Sequence, residues 1–159
     1  MNPNRIAFLD MIARSEGTAT SPITQNMGYD VIVSGQDGPE IFSDYTDHPF
    51  ANGSRPPKLV RAGLYSTASG RYQIMLHDWP HYKAQLQLPD FGPDSQDAYA
   101  IQIIGERRAL PLIDAGDFDA AVNRVANLWA SLAGATYGQP TRSIDWLRTA
   151  YINAGGVLA

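Results

Sequence analysis

The stretch LDMIARSEGT (Leu9–Thr18) carries an apolar segment into one carboxylate, a glycine and small polar residues. This stretch and the residues before it predict a first helix, because Asn2 can cap it and Pro3 suits its first turn. Apolar side chains recur at helical spacing at Ile6, Leu9, Ile12 and Ala13. Gly17 is a typical left-handed helix terminator, so Glu16 is expected in the last turn.

The predicted position of Glu16 disfavours its negative charge. A helix C-terminus carries about half a negative charge, so a carboxyl group ionises less readily there, and partial burial in a cleft adds to that cost. Both effects raise its pKa toward the range in which a carboxylic acid can donate a proton near neutral pH. The position suits a general acid, although a glutamate at a helix end is also a common surface residue.

Composition limits the classes of protein that this chain can represent. Its 159 residues are 44% hydrophobic, which suffices for one compact domain, or one domain of two lobes, without disulfides. Cysteine is absent, so thiolate chemistry is excluded. The net charge of −4 and the scattered basic residues argue against binding to duplex DNA. The adjacent pair Arg107 and Arg108 is expected on a solvated helix face.

The sequence also predicts a soluble protein. The N-terminal residues MNPNRIAFLD lack the charged and long apolar regions of a secretory signal peptide. No segment approaches the roughly 20 consecutive apolar residues that cross a bilayer.

The region from about Gly28 to Met75 differs in character from the first helix. GYDVIV and EIFSDY are short β-branched or aromatic runs separated by SGQDGP, a pattern that predicts an antiparallel hairpin. DHPFANGSRPPK is rich in proline, glycine and polar residues and predicts a loop. GRYQIML is either a further strand or the return into the helical part of the chain.

From about Asp78 onward the pattern becomes helical. One helix is predicted over DSQDAYAIQIIGERRAL, with an apolar stripe at Ala98, Ile101 and Ile104. Asp117 can cap the next helix, whose long apolar face comprises Phe118, Ala121, Val122, Val125, Trp129 and Leu132. A last helix is predicted from about Thr141 to Asn153, ended by Gly155, with these side chains inward: Ile144, Leu147 and Tyr151.

Together these elements predict an α+β fold in a single domain over residues 1–159. A mainly helical lobe comprises residues 1–17 and about 78–159, and a small antiparallel sheet lobe comprises about 28–75. A cleft between the lobes, reached by the first helix, is the expected ligand site.

Six blocks of sequence carry a resemblance to a known family over nearly the whole chain. They are AFLDMIARSEGT (Ala7–Thr18), GYDVIV (Gly28–Val33), FSDYTDHP (Phe42–Pro49), GRYQ (Gly70–Gln73), SQDAYAIQIIGERRALPLID (Ser95–Asp114) and LWASLAGATYGQ (Leu128–Gln139). In their order and intervals, they resemble the lambda-phage endolysin (lambda lysozyme) family. Arg14 stands where that family usually has an aromatic residue, and the SGQDGPE and FANGSRPPK segments look longer.

The resemblance implies a lysozyme-like fold and cleavage of peptidoglycan between N-acetylmuramic acid and N-acetylglucosamine. It implies a lytic transglycosylase, which forms a 1,6-anhydro sugar instead of adding water, with Glu16 as its catalytic glutamate. We expect Glu16 to protonate the glycosidic oxygen and then to take the proton of the muramoyl C6 hydroxyl.

Most glycosidases use two carboxylates. The candidates for a second one are Asp30, Glu40, Asp44 and Asp47, each of which is also typical of a turn or a solvated strand edge. The transglycosylase route needs no second carboxylate, because the acetamido group of the substrate can stabilise the developing positive charge.

Five further residues are candidates for binding the substrate: Gln73, Tyr137, Tyr72, Tyr29 and Gln102. Gln73 in GRYQ resembles the glutamine of a Gly-x-x-Gln motif in other lytic transglycosylases, and is a partner for the acetamido group or for Glu16. Tyr137 resembles a tyrosine that lines such clefts. A buried glutamine bonded to the backbone, packed tyrosines and a solvated Gln102 are the alternative interpretations.

No cofactor is expected. His77 and His81 have a spacing that can chelate a metal, but Pro80 lies between them and no third ligand is near in sequence. The chain also lacks a Gly-x-Ser-x-Gly nucleophile motif and a phosphate-binding glycine loop. The competing interpretations are a hydrolytic muramidase on the same scaffold and a catalytically silent glycan-binding domain or virion part.

The expected partners are peptidoglycan glycan strands, with no nucleic acid and no stable membrane insertion. We expect the protein to be a monomer. Because no signal segment is recognised, we also expect it to stay in the host cytoplasm until a holin releases it to the periplasm and cell wall.

Overall fold

A computed structural model describes residues 1–135 and 141–159. The chain divides into two compact units. The first unit comprises Met1–Glu16 and Ala100–Ala159, and the second comprises Gly17–Tyr99. Among the described residues, no helix is both long and apolar enough to span a bilayer.

The secondary structure is mixed, as predicted. The described helices are α1 (Pro3–Ser15), α2 (Trp79–Gln85), α3 (Pro93–Glu106), α4 (Leu110–Ala115), α5 (Phe118–Val125) and α6 (Ile144–Asn153), with a short 3-10 turn at Ala51–Gly53. The described strands are β1 (Val31–Gly35), β2 (Gly38–Ile41), β3 (Lys58–Arg61) and β4 (Leu64–Ser66).

Helix α1 begins and ends where the sequence predicts. The side chain of Asn2 accepts a hydrogen bond from the Asn4 backbone N–H at 2.8 Å, and Pro3 occupies the first turn. Gly17 follows the helix with φ +78°, a backbone conformation that is strained for residues other than glycine. Ile6, one of the apolar residues at helical spacing, is 53% exposed, because it lies about 200° around the helix from buried Phe8.

In the first unit, α1 packs against α6 and α4. The ring of Phe118 lies 6.1 Å from that of Phe8 and 4.8 Å from that of Tyr151. Buried Asn4 donates to the Ile113 carbonyl at 3.1 Å and accepts from the Val157 backbone N–H at 2.9 Å. These contacts fix the helix that ends at Glu16.

The later helices are shorter than the helices that the apolar patterns predicted. Asp117 precedes α5, but its side chain makes no capping hydrogen bond. Trp129 and Leu132 are buried as predicted, although α5 ends before them at Val125. Helix α6 begins after Ser143, whose side chain caps it. Its predicted inward residues Leu147 and Tyr151 are buried, whereas Ile144 is partly exposed.

The predicted apolar stripe of α3 is largely wrong. Ile104 is buried, but Ala98 and Ile101 are only half-buried. The buried side of the helix instead comprises Ser95, Gln96, Tyr99, Ala100, Ile103 and Ile104. Hydrophobicity alone missed this face because it includes a glutamine whose amide is fully hydrogen-bonded inside the protein.

In the second unit, β1 and β2 form the predicted antiparallel hairpin, with Val31 opposite Ile41. A second antiparallel pair, β3 with β4, follows a predicted loop and was not anticipated. The GRYQIML segment forms a tight turn closed by a bridge between Ser69 and Ile74, so it is the chain's return and not a full strand.

Aromatic packing unites the rest of the second unit. The Phe91 ring lies 4.8 Å from both His48 and Trp79, and Tyr99 packs on Trp79 at 6.3 Å. Trp79 also donates its indole N–H to Asp47 at 2.8 Å. The sequence interpretation began the helical lobe at about residue 78. These contacts instead keep the chain in the second unit up to Tyr99.

Candidate active site

Glu16 follows the last residue of α1 and is partly buried in the first unit. Its backbone N–H donates to the Ile12 carbonyl at 2.9 Å, which continues the helical hydrogen bonding. The Ser131 hydroxyl donates to Oε1 of Glu16 at 2.9 Å. The Ser15 hydroxyl in turn donates to the Ser131 hydroxyl oxygen at 2.8 Å. Two serines from distant parts of the chain therefore orient one carboxyl group.

Burial raises the pKa of Glu16, and the hydrogen bond from Ser131 opposes that rise without cancelling it. The helix carbonyls that end at Glu16 also disfavour its anion. A carboxyl group in this environment can hold a proton at a higher pH than a free glutamate, which is what a general acid requires.

The segment that carries Ser131 is anchored on both sides. Trp129 and Leu132 are buried, and the Ser131 carbonyl accepts from the Arg142 backbone N–H at 2.8 Å. Residues 126–135 include no charged side chain. Asp10 and Arg14, the charged residues in the C-terminal half of α1, pair with each other at 2.7 Å. The polar contact that this segment gives to Glu16 is thus a neutral hydroxyl.

Gln73 lies in the tight turn of the second unit and adopts φ +53°. Its amide Nε2 donates to the Gly70 carbonyl at 3.0 Å, and the side chain is partly buried. Within the described residues, no donor contacts its amide oxygen. The Thr18 hydroxyl, two residues after Glu16 in sequence, donates to the Arg71 carbonyl of the same turn at 2.6 Å.

The turn is clamped by Gln96, which is 0% exposed. Its Oε1 accepts from the Arg71 backbone N–H at 2.8 Å, and its Nε2 donates to the Tyr29 and Phe91 carbonyls at 3.1 and 2.8 Å. A Cβ atom on Gly70 would lie 2.2 Å from Gln96 Oε1, and φ is +79°, so a side chain at this position would be strained and would displace Gln96. The clamp fixes the backbone that presents Gln73.

Tyr29 and Tyr72 meet at one carboxylate. Their hydroxyls donate to the same Oδ1 of Asp97, at 2.9 and 2.6 Å, and their rings meet edge to face at 6.3 Å. Burial, with a smaller contribution from Asp97, raises the pKa of Tyr29 to about 12, and burial likewise raises that of Tyr72. Because Tyr72 is only 2% exposed, these tyrosines support the turn from inside the unit.

The two remaining candidates are Gln102 and Tyr137. Gln102 lies on α3 in the first unit, partly exposed, and donates to Glu106 at 3.1 Å. Tyr137 lies outside the described residues. The structure thus brings Tyr29, Tyr72 and Gln73 together in the second unit, and assigns Glu16 and Gln102 to the first.

The four candidates for a second carboxylate all lie in the second unit, and each accepts hydrogen bonds there. Asp30, which is 3% exposed, accepts from the Thr24 hydroxyl and from the Gln25 backbone N–H. Glu40 accepts from Lys58 at 2.6 Å and also pairs with Arg55. The Lys58 contact is the main reason that the pKa of Glu40 lies below its ordinary value.

Asp44 and Asp47 are also held as anions. Hydrogen bonds from Thr46 lower the pKa of Asp44. Burial raises the pKa of Asp47, but donors from Trp79, His48 and Lys83 outweigh it and lower the pKa overall. Both residues line a cavity of about 490 Å³ formed by residues between 41 and 55.

The histidine pair of the sequence does not form a metal cluster. Across residues 1–135 and 141–159, no three histidine or acidic side chains converge as metal ligands would. His77 lies 3.3 Å from Asp78, and the His81 ring packs against Tyr82.

Sequence reasoning missed four residues that shape these groups: Ser15, Ser131, Gln96 and Asp97. Ser131 lies 115 residues from Glu16 in sequence, so no local spacing connects them. Gln96 and Asp97 stand in a helical segment where polar residues normally indicate a solvated face. Both residues lie in the Ser95–Asp114 block that carries the family resemblance, and this block was the one indication in the sequence that they matter.

Comparison with known proteins identifies the family. A family model described as Endolysin matches residues 6–158. The endolysin of Escherichia phage P2 is 60% identical over 158 residues, covering 98% of this chain and 95% of that protein. The endolysin of Escherichia phage lambda is 49% identical over 159 residues, covering 99% and 95%.

Solved structures agree with these relatives. Bacteriophage lambda lysozyme complexed with a chitohexasaccharide matches with a TM-score of 0.91 and 48% identity, covering 100% of this chain and 98% of that one. A second structure of lysozyme from bacteriophage lambda matches with a TM-score of 0.87 and 47% identity over the same shares. The α+β, lysozyme-like fold and the family resemblance are therefore confirmed. This chain belongs to the endolysin family and is a lysozyme-like enzyme that cleaves glycosidic bonds to degrade peptidoglycan.

Proposed function

We propose that this endolysin is a lytic transglycosylase with Glu16 as its single catalytic carboxyl group. It cleaves the β-1,4 bond between N-acetylmuramic acid and N-acetylglucosamine and leaves 1,6-anhydro-N-acetylmuramic acid. The observation that supports this most is a contrast in surroundings: Glu16 is partly buried and accepts from one neutral hydroxyl, whereas Glu40 forms ion pairs. Burial raises the pKa of Glu16, whereas hydrogen bonds lower the pKa values of Glu40, Asp44 and Asp47.

In the first step, protonated Glu16 donates its proton to the glycosidic oxygen, and the bond from that oxygen to C1 of the muramoyl sugar breaks. The acetamido group of the same sugar stabilises the positive charge on C1. In the second step, the Glu16 carboxylate takes the proton of the C6 hydroxyl while the C6 oxygen bonds to C1. The acid is thereby regenerated, and no water is consumed.

We further propose that the chain binds glycan strands, as the lambda lysozyme in its chitohexasaccharide complex does. The amide oxygen of Gln73 can accept a hydrogen bond from an acetamido N–H, because Nε2 of the same side chain is already held by Gly70. Tyr137 and Gln102 remain proposed substrate contacts. Tyr29 and Tyr72 enter the proposal as residues that hold the Gln73 turn.

Access to the cell wall completes the proposal. The enzyme acts as a monomer, requires no cofactor, and waits in the host cytoplasm until a holin permeabilises the membrane. Cells that express this chain alone should remain intact until the inner membrane is opened, and prompt lysis without permeabilisation would contradict this part.

The chemistry is tested by mass spectrometry of sacculi digested with the purified protein. A transglycosylase yields muropeptides that end in 1,6-anhydro-N-acetylmuramic acid, each lighter by one water than a hydrolysis product. Reducing N-acetylmuramic acid ends in their place would identify a hydrolytic muramidase on the same scaffold. Absence of any soluble product would favour a catalytically silent glycan-binding domain.

A further inference from the structure

We propose that Ser131 is a positioning residue that holds one oxygen of Glu16 through its hydroxyl, so that one carboxyl group can serve as acid and then as base. The inference rests on the proposed role of Glu16 and extends it to a residue in a distant part of the sequence. It starts from the donor chain from Ser15 to Ser131 to Glu16, with oxygen–oxygen distances of 2.8 and 2.9 Å.

The direction of this chain follows from the hydroxyl of Ser131. A serine hydroxyl has one proton to donate, and Ser131 accepts the proton of Ser15. Its own proton is therefore committed to Oε1 of Glu16. Because Oε1 is occupied, Oε2 is left as the oxygen that carries the catalytic proton and exchanges it with the substrate.

The same bond acts on both protonation states of Glu16. A hydroxyl donor bonds more strongly to a carboxylate than to a neutral carboxyl oxygen, so it favours the anion. Burial favours the neutral acid instead. A buried acid without this donor would release its proton less readily in the first step, and its anion would be less stable before the second.

Neighbouring charges do not provide an alternative source of this balance. On α1, Asp10 and Arg14 neutralise each other, and residues 126–135, which carry Ser131, include no charged side chain. Arg142 contacts Ser131 through its backbone N–H, while its guanidinium stacks on the Trp146 ring at 4.5 Å. Burial raises the pKa of Glu16, and the hydrogen bond from Ser131 opposes that rise.

The test compares Ser131→Ala with Ser131→Thr, which keeps the hydroxyl, and with Thr149→Ala. Thr149 is a matched control because its exposed hydroxyl also makes one hydrogen bond, to the Asp145 carbonyl in α6. Thermal unfolding first establishes that each variant is folded. The pH profile of kcat/KM on purified sacculi and a carbon-13 NMR titration of the Glu16 carboxyl group are then measured.

In Ser131→Ala, the Glu16 titration and the alkaline limb of kcat/KM are expected to move together to higher pH, since a bond that favours the anion is gone. The maximal value of kcat/KM over the pH profile should fall about tenfold, which is the usual effect of losing one hydrogen bond to a charged group. Ser131→Thr should restore both properties, and Thr149→Ala should match the wild type.

A Glu16 titration that is unchanged in folded Ser131→Ala would overturn the inference, even with Glu16→Gln inactive. An active Glu16→Gln variant would instead overturn the proposed function. The NMR titration reports on Ser131 independently of activity, so the two failures are distinguishable.

Discussion

Glu16 at the end of α1 and the acidic residues of the second unit carry the same functional group in opposite environments. Glu16 receives one neutral hydroxyl donor and is partly buried beside the carbonyl end of a helix. Glu40, by contrast, pairs with Lys58 and Arg55. The first environment favours the protonated acid, and the second favours the anion. The comparison indicates that local donors and burial, more than residue type, distinguish the proposed catalytic acid from the carboxylates of the second unit.

The largest expected effect is on activity. Glu16→Gln should reduce lysis of sacculi by at least a thousandfold, because an amide cannot donate or take the required proton. Turbidity assays on permeabilised cells measure the loss, and circular dichroism establishes that the variant folds. Glu40→Gln is the matched control and should retain most of its activity. Comparable losses in both variants would break the distinction between the two environments.

A smaller but clear effect is expected on stability in the second unit. Asp30→Ala leaves the Thr24 hydroxyl and the Gln25 N–H without their buried acceptor, which should cost about 2 to 3 kcal/mol in the free energy of unfolding. Scanning calorimetry should show Tm lower by roughly 4 to 10 °C.

The exposed Asp44 provides the control for Asp30, because its carboxylate accepts from Thr46 at the surface. Asp44→Ala should change Tm by no more than about 2 °C. An equal decrease in the two variants would mean that burial does not distinguish these carboxylates.

The smallest effect concerns how stability depends on pH. The pKa of Glu16 is raised above 4.5, so its contribution to stability is present at acid pH and is lost as pH rises through the folded-state pKa. Glu16→Gln should therefore match the wild type in acid and become the more stable protein toward neutral pH. Tm measured in steps from pH 3 to pH 8 tests this.

Glu40 should behave in the opposite way in the same experiment. Its pKa is lowered below 4.5, so its contribution is present above that value and is lost as pH falls through the folded-state pKa. Glu40→Gln should be less stable than the wild type at neutral pH, by a few tenths to about 1 kcal/mol for an exposed ion pair, with the difference vanishing in acid. Parallel curves for the two variants would contradict the opposite pKa shifts.

Features that depend on neighbouring residues could be predicted from the sequence, whereas contacts between residues far apart in sequence could not. Asn2, Pro3 and Gly17 act on their immediate neighbours, so the helix that ends at Glu16 could be located from sequence. Ser131 could not be paired with Glu16, because only the folded chain brings these residues together. The second hairpin was missed since Pro56 and Pro57 precede β3 directly and indicate a loop.

Buried polar residues explain most of the other errors. Gln96 lies inside the second unit because its amide is bonded to three backbone groups, which a hydrophobicity pattern does not detect. The predicted face of α3 was consequently rotated away from the observed one. The candidate acid could be located from sequence, whereas Ser131, which contacts it, and Gln96, which holds the Gln73 turn, could not.

The contact of Asn4 with Ile113 and Val157 has a consequence for synthesis. Helix α1 packs on α4 and α6, which the last third of the sequence forms, and the amide oxygen of Asn4 gains its donor only once Val157 is in place. A ribosome making this endolysin therefore exposes the first helix long before its partners have been translated. We therefore expect a nascent chain that stops before Val157 to hold α1, and Glu16 after it, less firmly than the folded protein does.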